Sequence, residues 1–266
     1  MTSRAATRAG GADNQDRHVV GRGFAMVLDG ATSVAGDRSH DPGWYAGRLA
    51  DVLARELPGG RPIPDLVAAA IAEVRDTDGL KAETSPTCTV AIARWTDDVV
   101  EAYSLCDSLV VVLGTDGSEV VHTDDDLGAA VGARRAAYRA RLAAGLGYDE
   151  GHRQLLVELQ EVQARWRNRP GGYWVAGTEP EAAYHAVTST VARVDVAGLV
   201  LATDGVDLER HPIARTWREV YDEALRSGPE QVLHDLHAAE EADPDGRRWA
   251  RSKRHDDKTL VVVPFT

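Results

Sequence analysis

A chain of 266 residues suits one large domain or two small ones, and it is long enough to bury a sizeable core. Its 43% hydrophobic and 27% charged residues are ordinary for a globular protein in water. The 42 acidic against 30 basic residues leave a net charge of −12, which argues against broad binding to nucleic acid or anionic membranes. No stretch approaches the roughly 20 apolar residues of a membrane span, and the N-terminus lacks the apolar core of a signal peptide. The two cysteines, Cys88 and Cys106, cannot build a disulfide framework and are expected to be reduced core residues. A cytoplasmic monomer is the expectation.

Residues 1–15, small, polar and glycine-rich, are expected to form a flexible arm ahead of a single domain over 16–266. Gly23–Asp29 reads as a buried strand. Trp44, Leu49, Val52, Leu53 and Leu57 recur at helical spacing from Pro42 and are stopped by Pro58-Gly59-Gly60. A second amphipathic helix follows over 64–76. The period then changes: Thr87–Trp95, Val99–Leu105, Leu109–Leu113 and Glu119–His122 are short β-rich segments parted by turn residues, Asp116-Gly117 giving a strong hairpin signal. Residues 128–168 return to helix with a break at Gly145–Tyr148, and 124–185 as a whole reads as a helical insertion or flap. Thr178-Glu179-Pro180-Glu181 has the form of a capping box. Strands at 186–193 and 198–203, helices at 212–225 and 228–241 and a closing strand at Thr259–Pro264 complete an α+β layered domain.

Four aspartates stand at strand ends across this pattern: Asp16, Asp29, Asp204 and Asp256. Three lie directly against apolar runs, in FAMVLDG, GLVLATDG and DDKTLVVV. A carboxylate at the lip of a buried strand is held rigidly at one sheet edge. Several such lips together make a negative cluster suited to a hard divalent cation such as magnesium or manganese. That points to a metal-dependent hydrolase.

The order and neighbours of these residues resemble the metal-dependent protein phosphatases of the protein phosphatase 2C (PPM) family, over nearly the whole chain except 31–60 and 124–185. The resemblance rests on Asn14-Gln15-Asp16, Val27-Leu28-Asp29-Gly30, Ser85-Pro86-Thr87-Cys88-Thr89-Val90, Leu105-Cys106-Asp107-Ser108-Leu109, Leu201-Ala202-Thr203-Asp204-Gly205 and Asp256-Asp257-Lys258-Thr259. It implies a four-layer α-β-β-α sandwich, two antiparallel sheets flanked by helix pairs, with two Mg²⁺ or Mn²⁺ ions at one end. Asp29 would bridge the metals, Gly30 would lend its carbonyl, and Asp204 and Asp256 would hold one metal directly. Asp16 would act on the other, partly through water, and with Asp29 forms the expected catalytic pair. Asp107 with Asp204 would take a third, weaker metal of bacterial members. The implied chemistry is attack on a phosphate monoester by a hydroxide between two cations about 4 Å apart, with phosphoserine or phosphothreonine in a protein as substrate. A phosphatase-fold binding or sensing module without turnover is the alternative, and a phosphatase of small metabolites a third reading.

The chain also departs from the family pattern. Gly11 stands where a phosphate-gripping arginine is usual, the nearest upstream arginines being Arg8 and Arg4. Ala31-Thr32-Ser33-Val34 replaces a Gly-Met-Gly-Gly-His stretch, Cys106 a common glycine, Leu109 a common arginine and Asp257 a common asparagine. With these departures the chain resembles a divergent member of a bacterial branch. Which of Asp256 and Asp257 is the ligand stays open. Asp124-Asp125-Asp126 reads as a solvated loop, His234 and His237 as non-ligands, and Arg134, Arg135, Arg139 and Arg141 as a solvated helix face, with a phosphopeptide or partner contact as the other reading.

Overall fold

The computed structural model describes residues 2–31 and 40–265. Thr32, Ser33 and Val34, part of the departing stretch after Gly30, lie outside the described residues. Ten strands form two antiparallel five-stranded sheets. The first sheet holds β1 (Arg4–Arg8), β10 (Lys258–Pro264), β9 (Val196–Ala202), β6 (Leu109–Gly114) and β7 (Glu119–His122), in that spatial order. The second holds β2 (Arg17–Gly21), β3 (Phe24–Ala31), β4 (Thr87–Trp95), β5 (Val99–Leu105) and β8 (Val187–Ala192).

Side-chain alternation sets the layers. Ala25, Val27, Ala91, Ala93 and Ala102 of the second sheet meet Val110, Val112, Leu199, Leu201, Val261 and Val263 of the first, so mostly small residues face branched ones between the sheets. The alternate residues, Met26, Leu28, Val90, Ile92, Tyr103 and Leu105, pack beneath α1 (Pro42–Glu56) and α2 (Ile63–Asp78). Val111, Leu113, Val200, Leu260 and Val262 pack beneath α5 (Trp217–Ser227) and α6 (Pro229–Glu241). Both faces of the central strands are therefore buried, which is why they read as continuous apolar runs. The architecture is the four-layer sandwich, and α3 (Asp126–Ala143) and α4 (Glu150–Trp166) form a further helix pair.

Local chemistry explains most boundaries. Asp41 caps α1 by accepting from Trp44 N at 3.0 Å, with Pro42 in the first turn. α2 ends on Gly79 in the left-handed region, φ 66°. The structure also corrects several expectations. The supposed flexible arm contributes β1, paired residue for residue with β10 from Arg4 opposite Val262 to Arg8 opposite Lys258. Only Ala6 of its five residues is buried, so the apolar signal is faint, and its order comes from the open edge of β10. The helix expected from 212 starts at Trp217, because His211 Nδ1 accepts from Ile213 N and Ala214 N in a turn, and the capping box belongs to Thr216 and Glu219. The Thr178 motif opens only a 3-10 turn over Pro180–His185; Thr178 Oγ1 is spent on Glu179 Oε1 at 2.8 Å. Asp124 is buried and its carboxylate accepts from Asp126 N at 2.8 Å, so the acidic triplet is solvated only at Asp125 and Asp126. Cys88 and Cys106 are buried free thiols. No helix among the described residues is long and apolar enough to cross a membrane.

Candidate metal centre

Strand register brings the sequence-selected aspartates to one end of the sandwich. In the first sheet Leu260 of β10 and Leu109 of β6 both stand opposite Ala202, the last residue of β9. Asp204 just after β9, Asp256 just before β10 and Asp107 just before β6 therefore share that end. In the second sheet Arg17 pairs with Leu28 and Asp29 with Thr89, while Val90 pairs with Leu105. This places Asp16, Asp29 and Asp107 at the matching end.

Asp29, Gly30, Asp107, Asp204 and Asp256 line one cavity of about 370 Å³. Asp16 is not on its wall but lies buried, 2% exposed. Its Oδ2 accepts from Thr203 Oγ1 and Thr259 Oγ1, each at 2.8 Å, whereas its Oδ1 is buried without a hydrogen-bond partner among the described residues. Asn14 sets the approach: its side-chain oxygen accepts from Asp16 N at 3.0 Å, and its amide donates to Thr7 on β1. β1, expected to be part of a flexible arm, thus helps to fix the first acidic motif.

The carboxylates crowd one another. Burial, then the charges of Asp16, Asp204 and Asp256, raise Asp29 well above the usual carboxylate range. Burial pushes Asp16 up to about 6, against the pull of the Thr259 and Thr203 hydroxyls. Asp204 is raised by the desolvating cavity walls and then by Asp256 and Asp107; since its side chain is open to the cavity, water there weakens the effect. Asp107 is raised by burial and relieved by Arg135, whose Nη2 lies 4.0 Å from Asp107 Oδ2. The local counter-ion that sequence reading missed is Lys253, with Nζ 2.8 Å from Asp256 Oδ1. Burial works against its charge, yet Asp256, Asp29 and Asp204 hold it above the ordinary lysine value.

Asp256 and Asp257 have different tasks. Asp256 faces the cavity, whereas Asp257 accepts from Gly10 N at 2.7 Å and Gln15 N at 2.8 Å and so ties the first motif to β10. Glycines permit the close backbone approaches here. A Cβ on Gly205 would stand 1.9 Å from the Asp257 carbonyl oxygen, and one on Gly30 would stand 2.7 Å from the Pro42 carbonyl carbon. Cys106, where a glycine is common in the family, has φ 68°, so this position does adopt the conformation that glycine favours.

An all-oxygen donor set, mutually raised carboxylates and an orphaned buried carboxylate oxygen together fit hard divalent cations. A second grouping, His237, Glu240 and His255, does not. Glu240 already meets Lys258 Nζ at 2.7 Å and Arg210 Nε at 3.6 Å, and the two imidazoles stack at 4.1 Å. A cation there would face an ammonium and a guanidinium. His234 is not part of it.

No protein-family model matches the sequence, and no curated protein matches it. Solved structures do. Serine/threonine phosphatase Stp1 from Staphylococcus aureus superposes with a TM-score of 0.59 at 12% identity, over 99% of this chain and 94% of that one. The PPM Ser-Thr phosphatase MsPP from Mycobacterium smegmatis, solved in complex with cacodylate, gives 0.55 at 16% identity over 100% and 99%. The catalytic domain of the serine threonine protein phosphatase PstP, solved with 2 manganese ions, gives 0.56 at 16% identity over 99% and 97%. The chain has the fold of the PPM-type serine/threonine phosphatases, which bears out the resemblance at the level of architecture.

Proposed function

We propose that this protein is a Mg²⁺- or Mn²⁺-dependent phosphomonoesterase acting on phosphoserine or phosphothreonine in proteins. The observation that carries the reading is the gathering of Asp29, Asp107, Asp204 and Asp256 on one cavity, with Asp16 behind them presenting an unpartnered buried oxygen. Similar folds are those of PPM phosphatases, one of them solved with 2 manganese ions. Asp29, Asp204 and Asp256 would hold the cations with the Gly30 carbonyl, Asp16 would act from behind, and Asp107 would serve a further position. Bound cations supply a water activated near neutral pH and screen the charge of the phosphate.

The rest is done by the chain. The Thr203 and Thr259 hydroxyls fix one oxygen of Asp16 and leave the other free. Thr89 Oγ1 accepts from Asp29 N at 3.3 Å and steadies the strand end. α3 and α4 line one side of the cavity through Leu127, Tyr138, Leu156 and Leu159. No serine or cysteine nucleophile is called for, and Cys106, whose thiol burial pushes up, is poorly suited to the task.

Purified full-length protein is expected to hydrolyse p-nitrophenyl phosphate and a phosphothreonine peptide with Mn²⁺, and to lose that activity with chelator. Turnover no higher than that of Asp204→Asn would overturn the assignment. Tight Mn²⁺ binding without turnover would instead support the sensing module. A panel of phosphopeptides beside small phosphate esters separates protein from metabolite substrates.

A further inference from the structure

A phosphate dianion entering an acidic cavity needs cations that are free to receive it. Most basic side chains near the first motif are committed. Arg4 Nη1 donates to Leu225 O at 2.7 Å and Ala224 O at 3.3 Å on α5. Arg17 Nη1 donates to Asn14 O and Asp16 O at 2.8 and 2.7 Å. Arg8 does not line the cavity and adds its charge beside His237. Of the cations that do line it, Arg210 binds Gly205 O at 3.0 Å, Arg251 is held by Asp243 at 2.9 Å, and Lys253 is held by Asp256. Arg167, just after α4, stands beside the Tyr173 phenol, and its Nε is buried without a hydrogen-bond partner among the described residues.

Two further arginines line the cavity, both on α3. Its four arginines part company in the structure. Arg134 pairs with Glu158 at 2.7 Å and Arg141 with Asp149, tying α3 to α4. Arg135 and Arg139, one helical turn apart and so on one face, line the aspartate cavity instead. Arg139 makes no hydrogen bond or ion pair among the described residues and is exposed. Arg135 has only the 4.0 Å approach to Asp107, and the missing side chain of Gly128 leaves room for it: a Cβ there would come within 3.3 Å of Arg135 Nη1. Solvated helix face therefore holds for Arg139, although it also lines the cavity, and not for the half-buried Arg135.

We propose that Arg135 and Arg139 form the phosphate-recognition site of this cavity. The ligand class is a phosphate monoester, its dianion held by the arginine pair, with the cations that the aspartates would bind screening it from their charge, and its organic part facing Leu156, Gln160 and Gln163 of α4. Two planar guanidiniums offer paired donors to phosphate oxygens, a geometry that lysine does not reproduce. The helical insertion thereby supplies the grip that the N-terminal segment lacks, since Gly11 carries no side chain. The proposal rests on the phosphomonoesterase reading for its substrate but not for its test.

The test is titration of inorganic phosphate into the Mg²⁺-loaded full chain by calorimetry, with Mg²⁺ affinity and melting temperature measured alongside. Arg135→Ala and Arg139→Ala should each weaken phosphate binding ~10-fold, the scale of a lost charge-assisted contact, and the double variant more than either. Arg134→Ala should bind as wild type. Mg²⁺ affinity should not fall in any of these variants, which separates anion recognition from metal loss. If an alanine variant melts early, Arg135→Gln with Arg139→Gln keeps the helix and removes only the charge. Phosphate binding by the double variant within twofold of wild type, or no binding by wild type, would overturn the proposal. Arginine-dependent phosphate binding without ester turnover would leave the site standing and remove the hydrolase reading.

Discussion

Glu240 on α6 and Lys258 at the head of β10 are both fully buried and meet at 2.7 Å. Around this pair the structure builds a clamp on the loops that carry Asp204 and Asp256. Lys258 Nζ also donates to Asp256 O at 2.7 Å, and Arg210, 3.6 Å from Glu240, donates to Gly205 O at 3.0 Å. His255 Nδ1 completes the surroundings of Glu240 at 3.1 Å. Burial pulls Lys258 below the ordinary lysine value in spite of Glu240, so the ammonium depends on that carboxylate for its charge.

Removing one member of a buried pair leaves the other uncompensated, which costs about 3–5 kcal/mol. Glu240→Gln is therefore expected to lower stability on that scale and to weaken Mn²⁺ binding, since Lys258 and Arg210 lose the anchor that aims them at the carbonyls around Asp204 and Asp256. Chemical denaturation and metal titration check both effects. Unchanged Mn²⁺ affinity in a folded variant would show that the clamp serves stability alone.

What could be read from the sequence follows from how local each signal is. Asp29 and Asp204 were legible because an Asp-Gly after an apolar run marks a strand end wherever it occurs, and six motifs in order fix their grouping. β1 was not, since Arg4–Arg8 owes its order to an edge more than 250 positions away in the chain, Arg4 lying opposite Val262. Glu240 looked like any acidic residue late in a helix, and its partners lie on other elements. Arg134, Arg135, Arg139 and Arg141 form one basic run in sequence. Only the packing of α4 and the cavity divides them into bridging and cavity-facing arginines.

The raised carboxylates give the metal-free protein a pH dependence of definite sign. An aspartate in the unfolded chain ionises near pH ~3.9, whereas Asp16 in the fold ionises at about 6. Between those values the folded state binds the extra proton, so this contribution to stability is full below about pH 4 and lost as pH rises through about 6. Asp29, Asp107 and Asp204 carry the same sign. In chelator the melting temperature is expected to fall between pH 5 and 8 by several degrees, on the order of ~5 °C. Mn²⁺ should remove the slope and Asp16→Asn should flatten it. A chelated protein that grows more stable over this range would contradict the crowding.

Adjacent Asp256 and Asp257 should part company on substitution. Asp257→Ala removes acceptors from Gly10 N and Gln15 N, and hydrogen bonds to a charged group are worth about 1.5–3 kcal/mol each. Its main effect should be a stability loss of at least ~2 kcal/mol. Asp256→Asn keeps the fold and should lose metal affinity instead, with Lys253 left without its 2.8 Å partner. Denaturant midpoints and Mn²⁺ titrations of the two variants, compared side by side, decide the assignment. Reversed outcomes would make Asp257 the ligand.

The two buried thiols provide a test of backbone strain beside the site. Cys88 lies in extended β4, fully buried, and its N–H and C=O pair with Ala176 at 3.0 and 3.1 Å. Cys106 is nearly as buried, packed with Leu127, Tyr173 and Val175, but holds φ at 68°. A left-handed conformation costs a non-glycine residue roughly 1–2 kcal/mol, and glycine there escapes that cost. Cys88→Gly loses its side-chain packing and gains backbone freedom in the unfolded chain with no compensation. Cys106→Gly should consequently destabilise the protein by ~1 kcal/mol less than Cys88→Gly does, read from urea midpoints at equal m-values. Equal losses at the two positions would mean that the Cys106 backbone is not strained, and that its side-chain contacts, rather than a glycine-like conformation, account for cysteine at the turn leading to Asp107.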